Sequence, residues 1–540
     1  MWRGDSDSIA NHNIKVMSKV KILDCTLRDG GYINDWRFGE DAIKGICKRL
    51  AQTGIEILEV GFIKGETFDP NRTVFPDIES ISSMIYPKAE GVQYVAMLDM
   101  SAPIPLERIT PYDGTSVDGI RVIFKKEKID EAYQYCKRIK ELGYKVFVNF
   151  VGTDLYSDKE FVEGIERFNE LMPYAVAIVD SFGLIKRKHF LRLAYLADNN
   201  LKKDIVLCYH AHNNLQQAFG NAEALIEMNL KRELCVDACV FGMGRGAGNL
   251  NLELFAGYMN ENYGTQYQIE PMLEIMDEYL NEIYQKKFWG YSLPLYLSAS
   301  TGCHPNYAIY YAEKGTLTVK SFNELLRSIP KEEKSKYNKE RAEMFYRSYQ
   351  ENYYDDRDTI KDLTDIVRDR TVLIIAPGSS VTKYEDAILK YIELRRPLVF
   401  AINCAGGKIK ADYIFSSNMR RYSKIENKWN AKCIITSNMC CAKADYVVNF
   451  SSYASEKAEI VDNSGVMLLH LLIALGVKAV SIAGMDGYVV CRDSDYYEDQ
   501  NGLNISELAL MRNQLISAEL NEIKGRMQLD FITPTNYDIG

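Results

Sequence analysis

Two short runs carry side chains that together could hold a divalent metal: Leu23-Asp-Cys-Thr-Leu-Arg-Asp-Gly30 and His210-Ala-His212. Each reads as the end of a parallel β-strand. Alternate side chains on a strand share a face, so His210 and His212 point one way and Ala211 the other. Two imidazoles and the Asp29 carboxylate make half a coordination shell. That donor set suits Mn²⁺ or Mg²⁺ first, and Co²⁺ or Zn²⁺ as well. The open positions fit a 2-oxo acid, which chelates through its carboxylate and carbonyl oxygens. The metal would then act as a Lewis acid, holding the negative charge of an enolate, with Arg28 beside the same oxygen. An isolated His-x-His can equally be a polar strand end. Its conjunction with Arg28 and Asp29 is what points to a site. Phe241-Gly-Met-Gly-Arg-Gly-Ala-Gly-Asn249 adds four glycines in seven residues, a loop whose backbone can approach closely and bring Asn249 to the same place.

The elements that must position these residues follow from the pattern of apolar runs. Strands are expected at Val20–Thr26, Ile57–Phe62, Tyr94–Met100, Gly119–Phe124, Lys145–Val151, Val176–Asp180, Ile205–His212 and Cys235–Phe241. Amphipathic helices such as Glu127–Leu142 and Asp158–Met172 separate them. Eight near-continuous apolar strands alternating with helices predict a (β/α)8 TIM barrel over residues 19–292. Polar residues gather at the strand ends, where barrel enzymes keep their chemistry: Arg28 and Asp29, Asn149, Asp180 and Ser181, His210 and His212. Asn149, Asp180 and Ser181 are the candidates for substrate binding.

Composition bounds the function class. The chain has 540 residues, 47% apolar and 26% charged, which is ordinary globular usage and too long for one core. A net charge of −9 without a long basic run argues against a nucleic-acid-binding surface. No apolar stretch reaches the roughly 18 residues of a membrane-spanning helix. The polar N-terminus lacks the apolar core of a signal peptide, and residues 1–18 read as an extension. The 12 cysteines are scattered with no Cys-x-x-Cys pair, as in a reduced cytoplasmic protein.

Beyond the barrel, residues 293–368 read as a helical appendage and linker. A second α/β pattern, residues 369–540, starts at Thr371-Val-Leu-Ile-Ile-Ala-Pro-Gly-Ser-Ser380 and reads as a doubly wound, Rossmann-like domain. Further strands are expected at Pro397–Asn403, Tyr413–Ser417, Cys433–Thr436, Tyr446–Phe450 and Ala479–Ala483, with a helix at Ser464–Leu475. The turn at Gly378, Ser379 and Ser380 could cradle a phosphate.

The first half resembles the metal-dependent pyruvate-aldolase and acyl-CoA-lyase superfamily, on Asp24-x-Thr-Leu-Arg-Asp-Gly30, His210-x-His212 and Gly246-x-Gly-Asn249 in that order. The resemblance implies a TIM barrel with Asp29, His210 and His212 as metal ligands, Asn249 as a fourth, and Arg28 stabilising the enolate. Within that superfamily, Arg28-Asp-Gly-Gly-Tyr32 is most similar to 4-hydroxy-2-oxovalerate aldolase. That branch carries a His where this chain has Tyr32, so the acid/base group differs. Tyr32 becomes the candidate proton relay, and it is a poor base at neutral pH unless the metal or Arg28 lowers its pKa. Tyr291 matches another tyrosine of the branch.

The second α/β pattern resembles bacterial CMP-sialic-acid transferases and pterin-pyrophosphokinase-like domains. That implies a nucleotide or nucleotide-sugar near Asn403, Asn418 and Asp486. The transferase's late catalytic His is missing; the last His is His470. The expected function is a metal-dependent C–C lyase of aldolase type. It would act on a 2-oxo acid and an aldehyde or sugar, perform its chemistry in a homo-oligomer, and connect to sugar or surface-polysaccharide metabolism. The rivals are a Claisen-type acyl-CoA/2-oxo acid acyltransferase, a scaffold for the nucleotide module, and a glycosyltransferase working through that module.

Overall fold

The computed structural model describes residues 20–85, 87–351, 354–404, 408–425, 430–439, 442–488 and 505–540. Two compact units divide at 305/306.

The first unit is a closed barrel. Its strands are β1 (Val20–Asp24), β2 (Ile57–Ile63), β4 (Gln93–Asp99), β5 (Gly119–Phe124), β6 (Lys145–Phe150), β7 (Ala175–Asp180), β8 (Val206–Ala211) and β9 (Leu234–Ala238). Each pairs in parallel with its neighbours, and the β1–β2 and β1–β9 pairings close the ring. A two-residue β3 (Val74–Phe75) extends β2 outside that ring, an addition too short to leave a periodic signal. Eight parallel strands with flanking helices make this the TIM barrel that the apolar pattern predicts. The strands read as unbroken apolar runs because both faces are covered. The outward side chains pack against helices, among them α1 (Glu40–Gln52), α2 (Ile129–Glu141), α3 (Asp158–Leu171), α4 (Arg187–Asn200) and α5 (Ala218–Glu227).

The inward side chains are what position the site. At the floor they are apolar or small, including Leu23, Ile57, Val95, Phe147, Ala175, Cys208 and Cys235. Two residues further along the same rows, the period-2 alternation puts Glu59 above Ile57, Asn149 above Phe147, His210 above Cys208 and Asp237 above Cys235. Arg121 on β5 stands in the same layer. The barrel interior is therefore apolar below and charged above.

β5 coincides with the expected strand, and the other strand ends differ from expectation by at most three residues. β1 stops at Asp24 because Asp24 accepts from the Thr26 amide (3.0 Å) and hydroxyl (2.6 Å), turning the chain. β8 stops at Ala211, and His212 sits one residue past it in an isolated bridge to Asn249.

The second unit holds a seven-stranded, all-parallel sheet in the order β14-β13-β12-β11-β10-β15-β16. Its strands are β10 (Val372–Ile375), β11 (Leu398–Ile402), β12 (Tyr413–Ser416), β13 (Lys432–Thr436), β14 (Tyr446–Val448), β15 (Ala479–Ala483) and β16 (Gln528–Phe531). Strand order reverses between β10 and β15. The last strand, β16, had no counterpart in the sequence reading. The expected helix at Ser464–Leu475 is present as α6 (Ser464–Ala474). The helical stretch read as one appendage is divided: Leu293–Thr301 falls within the first unit, and the helices between residues 306 and 367 fall within the second. Among the described residues no helix is long and apolar enough to cross a membrane.

Candidate metal centre

Asp29 lies in the tight turn after β1, where the amides of Arg28 and Asp29 both bond the Cys25 carbonyl (3.2 and 2.8 Å). That turn aims the Asp29 carboxylate back over the barrel axis. Ligand atoms of Asp29, His210 and His212 all lie within 4.8 Å of one another, and all three residues are buried. Asp29 Oδ2 is 3.5 Å from His210 Nε2 and 3.9 Å from His212 Nε2. The other side of His210 is fixed: its Nδ1 lies 3.0 Å from Asp237 Oδ2. An N–H donated there fixes the ring with Nε2 toward Asp29, the carboxylate–imidazole arrangement that orients metal-binding histidines.

Asn249 completes the cluster. Its Nδ2 donates to Asp29 Oδ1 (3.0 Å) and to the Met243 carbonyl (3.2 Å), while its Oδ1 is buried without a partner. The glycine loop allows this approach. A Cβ on Gly244 would sit 2.1 Å from Asn249 Nδ2 and 2.9 Å from Asp29 Oδ1, so that position admits glycine alone.

Arg28 is buried and its charge is spoken for. It pairs with Asp29, and its Nε donates to Glu59 Oε2 at 2.8 Å. Glu59 Oε2 is also 3.1 Å from Arg121 Nη1, and Arg121 in turn pairs with Asp237. Three buried carboxylates thus face two guanidiniums, one positive charge short of balance. Buried charge is tolerated only when compensated, so the cluster calls for a cation or an imidazolium. A divalent cation fits this donor set: a carboxylate oxygen, two imidazole nitrogens and an unpartnered amide oxygen. Glu59, Arg121 and Asp237 escaped the sequence reading. Their signal was there in the charged residues at inward positions of otherwise apolar strands.

The electrostatics follow from burial and these pairs. Burial pushes the Asp29 carboxyl up, but Arg28 and the two histidines outweigh it and hold it well below the usual range. Burial disfavours a charged His210, yet Asp237 and Asp29 overcome that and raise it well above 6.5. His212 goes the other way, brought down to about 4 by burial against the pull of Asp29, which leaves it a neutral imidazole at pH 7. Burial raises Tyr32 above 10, with Arg28 opposing. Tyr32 would be a poor base unless the metal or Arg28 lowered it; here desolvation outweighs Arg28, and the net shift is upward.

Tyr32 stands at the rim, its ring 4.9 Å from Trp36 and 6.2 Å from Phe62. Asn149 is buried with both amide atoms unpartnered. Asp180 and Ser181 are occupied locally. Asp180 accepts from the amides of Leu184 (2.8 Å) and Ile185 (2.9 Å), and burial raises its pKa to about 7. Ser181 Oγ accepts from the Gly152 amide at 2.8 Å. Tyr291 is 54% exposed, with its ring 6.4 Å from Tyr296, and none of its contacts among the described residues reaches the cluster.

In the second unit, Ser380 donates to Asp486 through its amide (2.8 Å, to Oδ2) and its hydroxyl. A Cβ on Gly378 would lie 2.5 Å from Asp486 Cγ, so the turn closes on that carboxylate. Asn403 donates to Ser464 Oγ (2.9 Å) and accepts from Ser416 Oγ (2.7 Å). Asn418 Oδ1 accepts from the Arg421 amide at 2.9 Å.

Residues 19–277 match the HMGL-like family model. The 4-hydroxy-2-oxovalerate aldolase of Desulfitobacterium hafniense is 23% identical over 277 residues, 49% of this chain and 79% of that protein. The enzyme of the same name from Thermomicrobium roseum is 26% identical over 252 residues, 46% of this chain and 68% of its own. A crystal structure of the Bacillus subtilis HMG-CoA lyase aligns at 15% identity over 49% of this chain and 94% of its own, with a TM-score of 0.41. The first half of the chain is thus similar to the HMGL-like family, with 4-hydroxy-2-oxovalerate aldolases among its distant relatives.

Proposed function

We propose that the barrel is a divalent-metal-dependent aldolase that cleaves or forms a C–C bond next to a 2-oxo acid. The observation that carries this reading is the convergence of Asp29, His210 and His212, with the unpartnered Asn249 Oδ1 beside them. In the cleavage direction a 4-hydroxy-2-oxo acid loses the bond between C3 and C4. The C4 hydroxyl gives up its proton to solvent water and becomes an aldehyde. The electron pair passes through C3 to the 2-carbonyl oxygen, and C3 then takes a proton to release the 2-oxo acid. Asp29, His210 and His212 would hold a divalent cation, which would supply a Lewis acid for the charge on that oxygen. Arg28 adds fixed positive charge from a buried, water-poor position, where it counts for more than in solvent. Asn149 offers its free amide to the substrate's oxygens. Tyr32, which burial keeps as a protonated phenol, is the candidate donor to C3.

The test is ¹H NMR of pyruvate methyl-proton exchange in D₂O with Mn²⁺ or Mg²⁺, comparing wild type with Asp29→Asn. Metal-dependent exchange that falls by about 10³-fold in the variant supports the reading, since it stands on several kcal/mol of charge stabilisation. Absence of exchange with either metal sinks it.

For the second unit, the reversal of strand order at β10/β15 favours a ligand there, because crevices at such reversals are where open α/β sheets bind small molecules. Gly378, Ser379, Ser380 and Asp486 stand at that point. A nucleotide or nucleotide-sugar, and through it a link to sugar metabolism, is tested by the thermal shift that CMP or CTP produces.

A further inference from the structure

Two cations at the barrel mouth have no acidic partner among the described residues, in a unit whose deeper arginines are all paired. Arg245, in the glycine loop, donates its backbone amide to Asp29 Oδ1 at 3.3 Å, which puts it directly beside the cluster. Its guanidinium lies 5.6 Å from the centroid of the Tyr32 ring and donates to His304 Nε2, not to a carboxylate. Burial first, and Arg245 second, bring the His304 pKa down to about 3, so at pH 7 this neighbour is a neutral hydrogen-bond acceptor. Lys64 follows directly on β2. Its Nζ stands 4.2 Å from the centroid of Trp36 and 4.7 Å from that of Phe62, the two rings that pack on Tyr32. Among the described residues no carboxylate comes within ion-pair distance of it, and Glu66, Asp99 and Asp35 act on it only from farther away. Lys64 and Arg245 therefore flank one aromatic cluster, both half-buried, while Arg28, Asp29, His210 and His212 beneath them are buried. Partly desolvated cations without a direct ion-pair partner are costly to keep. Aromatic faces offset some of that cost and leave the charge available.

We propose that Lys64 and Arg245 form an anion subsite at the barrel mouth, which takes a carboxylate or phosphate carried by the aldehyde half of the substrate. The identity of that occupant rests on the aldolase reading; the anion subsite itself does not. Arg245 is joined to Asp29 through its backbone amide, and Lys64 packs on the rings that pack on Tyr32. An aldehyde with its carbonyl carbon toward the cluster would turn its far end to them. Charge-assisted pairing there would select anionic aldehydes over neutral ones of the same size.

The test reads binding instead of turnover. Full-length protein treated with chelator, so that no probe binds through a metal, is titrated calorimetrically with glycerol 3-phosphate, glycerate and glycerol. At least one anionic probe should bind about tenfold or more tighter than glycerol, and which one does so separates phosphate from carboxylate. Arg245→Gln and Lys64→Gln should each cut that preference about tenfold, while Arg245→Lys keeps most of it and guards against loss through misfolding. Equal binding of all three probes, or glutamine variants that bind like wild type, overturns the proposal. Pyruvate exchange without anion preference would sink this inference alone. Anion preference without exchange would sink the aldolase reading and leave the subsite standing.

Discussion

At the C-terminal edge of the barrel, Asn149, His212 and Asn249 each keep a buried polar atom without a hydrogen-bond partner. At the same edge of the seven-stranded sheet, Asp486 is bonded to Ser380, and Asn403, Ser416, Ser417 and Ser464 bond to one another. Both sheets gather polar side chains where parallel strands end, so sequence pattern alone makes them look alike. The difference lies in what completes them. A buried polar atom left unpaired costs about 1–3 kcal/mol, so several in one cluster are retained where a ligand supplies the missing partners. The second sheet supplies its own partners. Its first turn even carries an internal anion, the Asp486 carboxylate, in the place where a phosphate would sit.

The comparison breaks most severely if the barrel edge does no chemistry, and Tyr32→Phe asks that directly. Removing the phenol proton carrier from beside Asp29 should lower the rate of 4-hydroxy-2-oxo acid cleavage by about 10²-fold or more. The affinity for Mn²⁺ should hardly change, because no Tyr32 atom belongs to the ligand set. Stopped-flow detection of released pyruvate gives the first quantity and the electron paramagnetic resonance signal of free Mn²⁺ the second. Unchanged cleavage would remove Tyr32 from the reaction.

Asp237→Asn sharpens the contrast by a smaller amount. Asp237 touches no substrate position; it holds His210 through Nδ1 and balances Arg121. Losing its charge should weaken Mn²⁺ binding about 10–100-fold, as expected when the partner of a metal-bound histidine is altered. If affinity stays within twofold, His210 is oriented by Asp29 and the strand alone, and the charged layer is structural.

Much of this arrangement was legible beforehand, and the reasons differ by residue. The eight barrel strands were readable because burial on both faces makes them apolar throughout, a signal that tolerates ragged ends. Asp29, His210 and His212 were readable because they punctuate those runs with metal-binding side chains. Glu59, Arg121 and Asp237 punctuate the same strands, yet a lone charge within an apolar run has no fixed meaning until the closed ring places three strands' charges in one layer. Lys64 and Arg245 were invisible for a related reason. Surface-type residues on loops become notable only when no acid is found beside them. Tyr32 could be read only as a candidate proton relay, because the direction of its pKa depends on how deeply it is buried beside Trp36 and Phe62. In the second unit, Asp486 was read as a nucleotide contact, and sequence distance hid that it reaches Ser380 across 106 positions.

Acid should distinguish the two units. His304 belongs to the barrel unit and is held near a pKa of about 3 by burial and by Arg245, against about 6.5 in an unfolded chain. Between those values the unfolded chain binds a proton that the folded one refuses. The stability present above pH 6.5 is therefore lost on acidification, at up to about 1.4 kcal/mol per pH unit from this group. Urea unfolding of wild type and His304→Gln at pH 7.0, 5.5 and 4.5 isolates the effect, since every other titration is common to both. The wild-type midpoint should fall more steeply than the variant's. Parallel slopes would mean His304 meets water more freely than its burial indicates.

The smallest effect tests the other side of the contrast. Asp486→Asn keeps one oxygen for the Ser380 amide and puts an NH₂ where the second carboxylate oxygen accepted the Ser380 hydroxyl. That hydroxyl can rotate and accept in its turn, so the cost is one weakened charge-assisted bond, about 1 kcal/mol. Calorimetric unfolding should show the transition of the second unit lowered by a few degrees, with Mn²⁺ binding by the barrel untouched. A raised transition would carry the opposite meaning. Functional sites hold charges against local stability, and removing such a charge commonly stabilises a fold. The Ser380–Asp486 pair would then be a strained ligand site like the barrel edge, and the two sheets would differ only in which ligand completes them.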